Sequence, residues 1–186
     1  MTNRKFRIFG AMAASAVLTV AAVNYFSLQQ TVSKVLHDDP RNDGLQVFVH
    51  YKYFINPSVL VYDLREVSGT SSPMDVMRVL LQFAAQQKDR SFEIVELSHK
   101  GKQKFRMKGE YFHLLGQDYG TQNPTYTIRT MPENLYRPDG ASAFGTWTGG
   151  MLGVLGRQME DVTSLHREWY IDDLSSDGAV KATHAN

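Results

Sequence analysis

Lys100, Lys102, Lys104, Arg106 and Lys108 alternate along one short stretch. On a regular strand that spacing sends every charge to the same side. Such a row can hold an anion: a lipid headgroup, an acidic protein surface or nucleic acid. A solvated strand face gives the same pattern, because lysines there discourage pairing with a second chain. A second grouping is Gly145, Gly149 and Gly153, with Gly150 and Gly156 beside them. Spacing of four lines up the first three on one helical face, which allows a close helix contact within the domain, between protomers or at a membrane. No Lys-Ser/Thr follows these glycines, so a phosphate-binding loop is a poor match.

Catalytic chemistry has less to stand on. His37, His50, His99, His113, His166 and His184 are scattered, and no pair shows metal-ligand spacing. The chain has no cysteine, which removes thiolate ligands, thiol nucleophiles and disulfides. No cofactor and no metal are expected. A Ser-His-acid set would draw on Ser98, His99, Asp118 and His166, without a G-x-S-x-G turn to anchor it. Glu93 and Glu96 fall on opposite faces of a regular strand and make a poor acid/base pair. Asp63 followed by Glu93 suggests an acidic nuclease core, yet the E-x-K that should follow is missing. Arg65, Arg129 and Arg137, with Tyr126 and Tyr136, would line a groove or simply decorate a sheet.

The elements that must position these residues are legible in outline. Leu45 to Ile55 alternates at period two and predicts a strand; Val59 to Val67 predicts a second, apolar on both faces at its start. Ser72-Pro73 with Asp75 is a helix start, and Val76, Met77, Leu80, Leu81 and Ala84 are its apolar stripe. Ser91 to Gly109 predicts a hairpin with a three-residue loop, His99-Lys100-Gly101, pairing Val95 with Phe105 and Glu96 with Lys104. A short helix over Gly109 to Tyr119 and a strand over Pro124 to Met131 follow. The resulting order, β-α-β-β-α-β, is that of a ferredoxin-like α+β sandwich. The strand at Leu45 and a long amphipathic C-terminal helix are additions to it.

Ahead of this domain lies Ile8 to Phe26, 19 residues without a charge, preceded by Arg4, Lys5 and Arg7. As a helix it covers about 28 Å, near the thickness of a bilayer core. It reads as a transmembrane anchor over 1–30, as a secretory signal cut near Ala22, or as a buried helix of a soluble protein. In the first two cases the basic flank stays cytoplasmic and the rest faces the other side. Residues 31–44, with Pro40 and Gly44, are expected to link anchor and domain; 45–173 form one domain and 174–186 a disordered tail.

Net charge is +1, so bulk charge gives no reason to expect a polyanion. The expected function is that of a membrane-anchored, extracytoplasmic binding or accessory module of the cell envelope. Its partners would be the bilayer and an envelope protein, with the C-terminal helix available for self-association. A small His/acid hydrolase and a nucleic-acid binder using the basic hairpin are the alternatives.

Overall fold

The computed structural model describes residues 15–176. A helix, α1, runs over 15–38 and contains one π-helical turn, Tyr25–Gln29, before its last segment Gln30–Asp38. A tight turn at Pro40–Asn42 leads to β1 (Leu45–Lys52), which pairs antiparallel with β2 (Asn56–Val67). Helix α2 (Pro73–Gln86) returns the chain to β3 (Ile94–His99), which lies directly beside β2 and parallel to it. Then come β4 (Lys102–Lys108), α3 (Gly109–Asp118), α4 (Pro124–Thr130), the two-residue β5 (Leu135–Tyr136) and α5 (Met151–His166). A π-helical turn, Arg167–Ile171, extends α5. The sheet is five-stranded and mixed, in the order β1-β2-β3-β4-β5.

The α+β class holds, and the ferredoxin-like order does not. In a split βαβ unit another strand lies between the two parallel ones. Here Val59 pairs with Ile94, and the pairing continues to Leu64 with His99. The strand expected over Pro124 to Met131 is a helix. Asn123 caps it by accepting from the Thr125 amide at 2.9 Å, and Pro124 fits its first turn. The Thr130 hydroxyl bonds back to the Tyr126 carbonyl, and Ile128 and Met131 bury one face three residues apart. A good cap and a buried face outweigh threonine's strand preference.

The expected transmembrane helix is not supported. No helix among the described residues is long and apolar enough to cross a membrane. Part of the expected anchor lies outside the described residues, as do 177–186 of the expected tail. From Asn24 onward, α1 belongs to the domain: Leu28, Val32 and Val35 are in the core. The stretch expected as a linker is therefore packed. Asn42 within it is buried, donating to the Val35 carbonyl and Gln82 Oε1.

Helix α1 also closes the open edge of β1. Gln29 donates to the Val47 carbonyl and accepts from the Val49 amide; Asn24 accepts from the Tyr51 amide and donates to the Phe54 carbonyl. Two amide side chains thus take the place of a neighbouring strand. The π turn between them sets their phase, because its extra residue lets positions five apart face the same edge.

One side of every long strand feeds the core: Val47 and Val49, Leu60, Tyr62 and Leu64, Val95 and Leu97, Phe105 and Met107. Tyr62 is fully buried, and its hydroxyl has no hydrogen-bond partner among the described residues. Burial drives its pKa far above the ordinary phenol value. Tyr62→Phe should raise stability by about 1 kcal/mol, since an unsatisfied buried hydroxyl is removed at nearly constant shape. An unchanged or lower urea midpoint would contradict this.

Candidate functional site

The sheet has two unlike ends. β1 and β2 meet at the turn Tyr53-Phe54-Ile55, and β3, parallel to β2, starts near that end. The β3–β4 turn at Lys100-Gly101 therefore lies at the opposite end. Nine residues separate Ile55 from Leu64, which pairs with His99, so the ends are about 30 Å apart.

At the basic end the expected register is off by two residues. Val95 faces Met107 and Glu96 faces Arg106; the loop holds only Lys100 and Gly101, both with positive φ, +50° and +82°. The expected apolar face, Val95, Leu97, Phe105 and Met107, is buried all the same, because a shift of two keeps every side chain on its side.

The basic row is not one face. Leu97 pairs with Phe105 and Ser98 with Gln103, which leaves Lys104 as the extra residue of a β-bulge. The bulge resets the alternation, so Lys102 shares a face with His99, while Arg106 and Lys108 share the other with Glu96 and Ile94. Lys104 reaches Asp173, at 2.7 Å. Lys102 and Lys108 are exposed.

Around this end several polar groups pair with one another, while His99 Nε2 has no hydrogen-bond partner among the described residues. Asp63 is buried, accepts from the Gly101 amide at 3.0 Å and pairs with Arg65 at 2.6 Å. His99 is the last residue of β3, 1% exposed, with Nδ1 2.8 Å from Asp173. Burial pushes the Asp173 carboxyl upward, and hydrogen bonds from His99 and Lys104 outweigh it, so its pKa lies below the ordinary value. The acid beside His99 is thus Asp173, which sequence reasoning left at the edge of the tail, and Asp118 ends α3 instead. Ser98 is buried, and its carbonyl accepts from Trp169 Nε1 at 3.0 Å. His166 is buried on the inner face of α5, and neither ring nitrogen has a hydrogen-bond partner among the described residues. Desolvation lowers its pKa to about 4.

The remaining candidates do not converge. Glu93 is exposed, whereas Glu96 is buried and ion-paired with Lys52. Arg65 pairs with Asp63, Arg137 with Glu168, and Arg129 lies over the Tyr126 ring. Three arginines with three separate partners make no groove. His113 bonds Gln117 beside an open depression of about 730 Å³ between the end of α2 and α3. Among the described residues no three His, Asp or Glu side chains are grouped to hold a metal.

The glycine row also departs from expectation. Gly145 and Gly149 precede α5, which begins at Met151, and Gly149 has φ +130°. A Cβ added at Gly149, Gly150, Gly153 or Gly156 would meet nothing within 4 Å. These glycines pack no helix against the described domain. The start of α5 is instead an exposed apolar surface, with Met151 and Leu152 each 82% exposed.

The apolar end was not anticipated from sequence. Tyr53 is 77% and Ile55 71% exposed, and Phe54 stacks on His50. Beside the turn, α1 exposes Val17, Leu18, Val23, Tyr25 and Phe26. Ala16, Val17, Val20, Ala21, Phe54 and Ile55 line a groove of about 460 Å³ between helix and turn. The available signal was the uncharged triplet Tyr-Phe-Ile before Asn56-Pro57, which periodicity assigned to the strand. No family model, curated protein or solved structure matches this chain.

Proposed function

We propose that the chain is a contact module of the cell envelope, held at a membrane by its N-terminal apolar segment, with the α+β domain on the extracytoplasmic side. One observation carries the reading. Residues 15–23 are helical, uncharged and solvent-exposed on nearly every side, and they continue an uncharged run that starts at Ile8. A helix apolar all round belongs in a protein core or a membrane, and the domain offers this one no core. Arg4, Lys5 and Arg7 ahead of the run favour a cytoplasmic start.

The start of α5 is the surface best suited to a protein partner, either a second copy or another envelope protein. Its apolar side chains are exposed, and its glycines leave room for close approach. A His/acid enzyme draws less support, because His99 and His166 are buried. A nucleic-acid reading draws less as well, because the bulge splits the basic row.

Fractionation of cells making the full chain with a C-terminal tag tests this. The expected result is a membrane pellet that resists carbonate, with the tag open to protease from outside. Recovery of the intact chain in the soluble cytoplasmic fraction would overturn it.

A further inference from the structure

Resting on that reading, we propose that the β1–β2 turn, Tyr53 to Ile55, is a second lipid-contacting element, seated in the interface of the same bilayer beside α1. Three observations converge on it.

The first is position. Asn24 grips the turn from both sides, accepting from the Tyr51 amide at 2.8 Å and donating to the Phe54 carbonyl at 2.7 Å. The turn is therefore fixed alongside the point where α1 leaves the domain. Wherever residues 16–23 meet lipid, Phe54 and Ile55 are at the same level, across the apolar groove they share with Ala16, Val17, Val20 and Ala21.

The second is length. Because Asn24 belongs to the domain, the uncharged run available to lipid is Ile8 to Val23, or 16 residues. As a helix that covers about 24 Å, short of the ~30 Å hydrocarbon core. A short segment is accommodated by thinning the bilayer or by drawing its flanks inward. The flank here is the turn, whose three residues carry no charge.

The third is conformation. Tyr53 and Phe54 have φ of +53° and +64°, a region bulky residues seldom occupy. Glycine and asparagine are the usual residues of such turns. Aromatic side chains held there at a cost in strain, and left exposed, point to a role outside the fold. Tyr53, with Lys52 over its ring, has the amphipathic character of residues at a membrane–water boundary.

The chain has no cysteine, so single probes can be placed cleanly. Full-length Ile55→Cys and Lys102→Cys chains, each labelled with an environment-sensitive fluorophore, are reconstituted into phosphatidylcholine/phosphatidylglycerol vesicles carrying nitroxide lipids. The label at 55 should shift to the blue and lose about half its emission to shallow nitroxides, as an interfacially buried group does. The label at 102, at the far end of the sheet, should do neither. Chains that float with the vesicles but leave the label at 55 as wet as that at 102 would refute the turn's insertion and spare the anchor. Chains that fail to float would refute the anchor and this inference with it.

Discussion

Gly109→Ala is expected to lose roughly 3–4 kcal/mol of stability, with Gly116→Ala close behind. A Cβ at position 109 would fall 1.7 Å from the Phe92 carbonyl oxygen and 2.4 Å from its carbon. That backbone has nowhere to retreat, since the Gly109 amide is bonded to the Glu93 carbonyl at 2.9 Å and the Glu93 amide to the Ser58 carbonyl at 2.8 Å. At position 116 a Cβ would fall 2.4 Å from the Ala84 carbonyl oxygen, where α3 crosses α2. Intrinsic preference points the other way: alanine in a helix interior is favoured over glycine by about 1 kcal/mol. The two effects have opposite signs, so a urea titration of each variant beside the parent chain decides between them. Steric conflict with backbone should win, and the melting point should drop by roughly 10 °C. A gain in stability at position 116 would mean that the helices slide apart easily, and that α2 and α3 are not tightly locked.

The second large effect is acid sensitivity through His166. Its ring is buried without a hydrogen-bond partner among the described residues, and desolvation holds its pKa near 4, against an ordinary value of 6.5. Between those values the unfolded chain binds a proton that the folded chain refuses, so stability rises with pH across that window. Its contribution is complete above about pH 6.5 and is lost as pH falls towards 4. The difference corresponds to roughly 3 kcal/mol. His166→Leu should flatten stability between about pH 6.5 and 4 and raise it at the acid end of that range. A remaining drop at lower pH is expected from Asp173, whose depressed carboxyl stabilises the fold only while ionised. An equally steep fall in the variant between about pH 6.5 and 4 would place the sensitivity elsewhere.

Features set by near neighbours were legible in the sequence. Ser72, Pro73 and Asp75 form the predicted helix start: Ser72 accepts from the Asp75 amide, and Asp75 accepts from that of Ser72. β1 follows its alternation, β2 is buried on both faces from Leu60 to Leu64, and the apolar face of the hairpin is the predicted one. Features set by distant contacts were not legible. The bulged Lys104 pairs with Asp173, 69 residues away, and a period of two cannot show where it is interrupted. Pro124 to Thr130 has strand composition, and its helical form comes from an asparagine cap and two buried side chains. Asn24 reads as an impurity in an apolar run until the edge of β1 appears beside it. The basic row was visible but is divided; the apolar turn was absorbed into a strand because its exposure is a tertiary fact.

The unbroken passage of α1 into the core has a mechanical consequence. A globular head on a flexible stalk samples many orientations and heights, and its reach grows with stalk length. Here the helix that leaves the domain at Val23 is continuous with the stretch that lies along β1 from Asn24 to Val35. Reorienting the head would require bending that helix or breaking its hydrogen bonds to β1. If the segment before Asn24 is fixed in a membrane, the far end of the sheet, with Lys102, stands at a set height of about 30 Å above the β1–β2 turn. A partner would then be met at one distance and one angle, by geometry built into the helix.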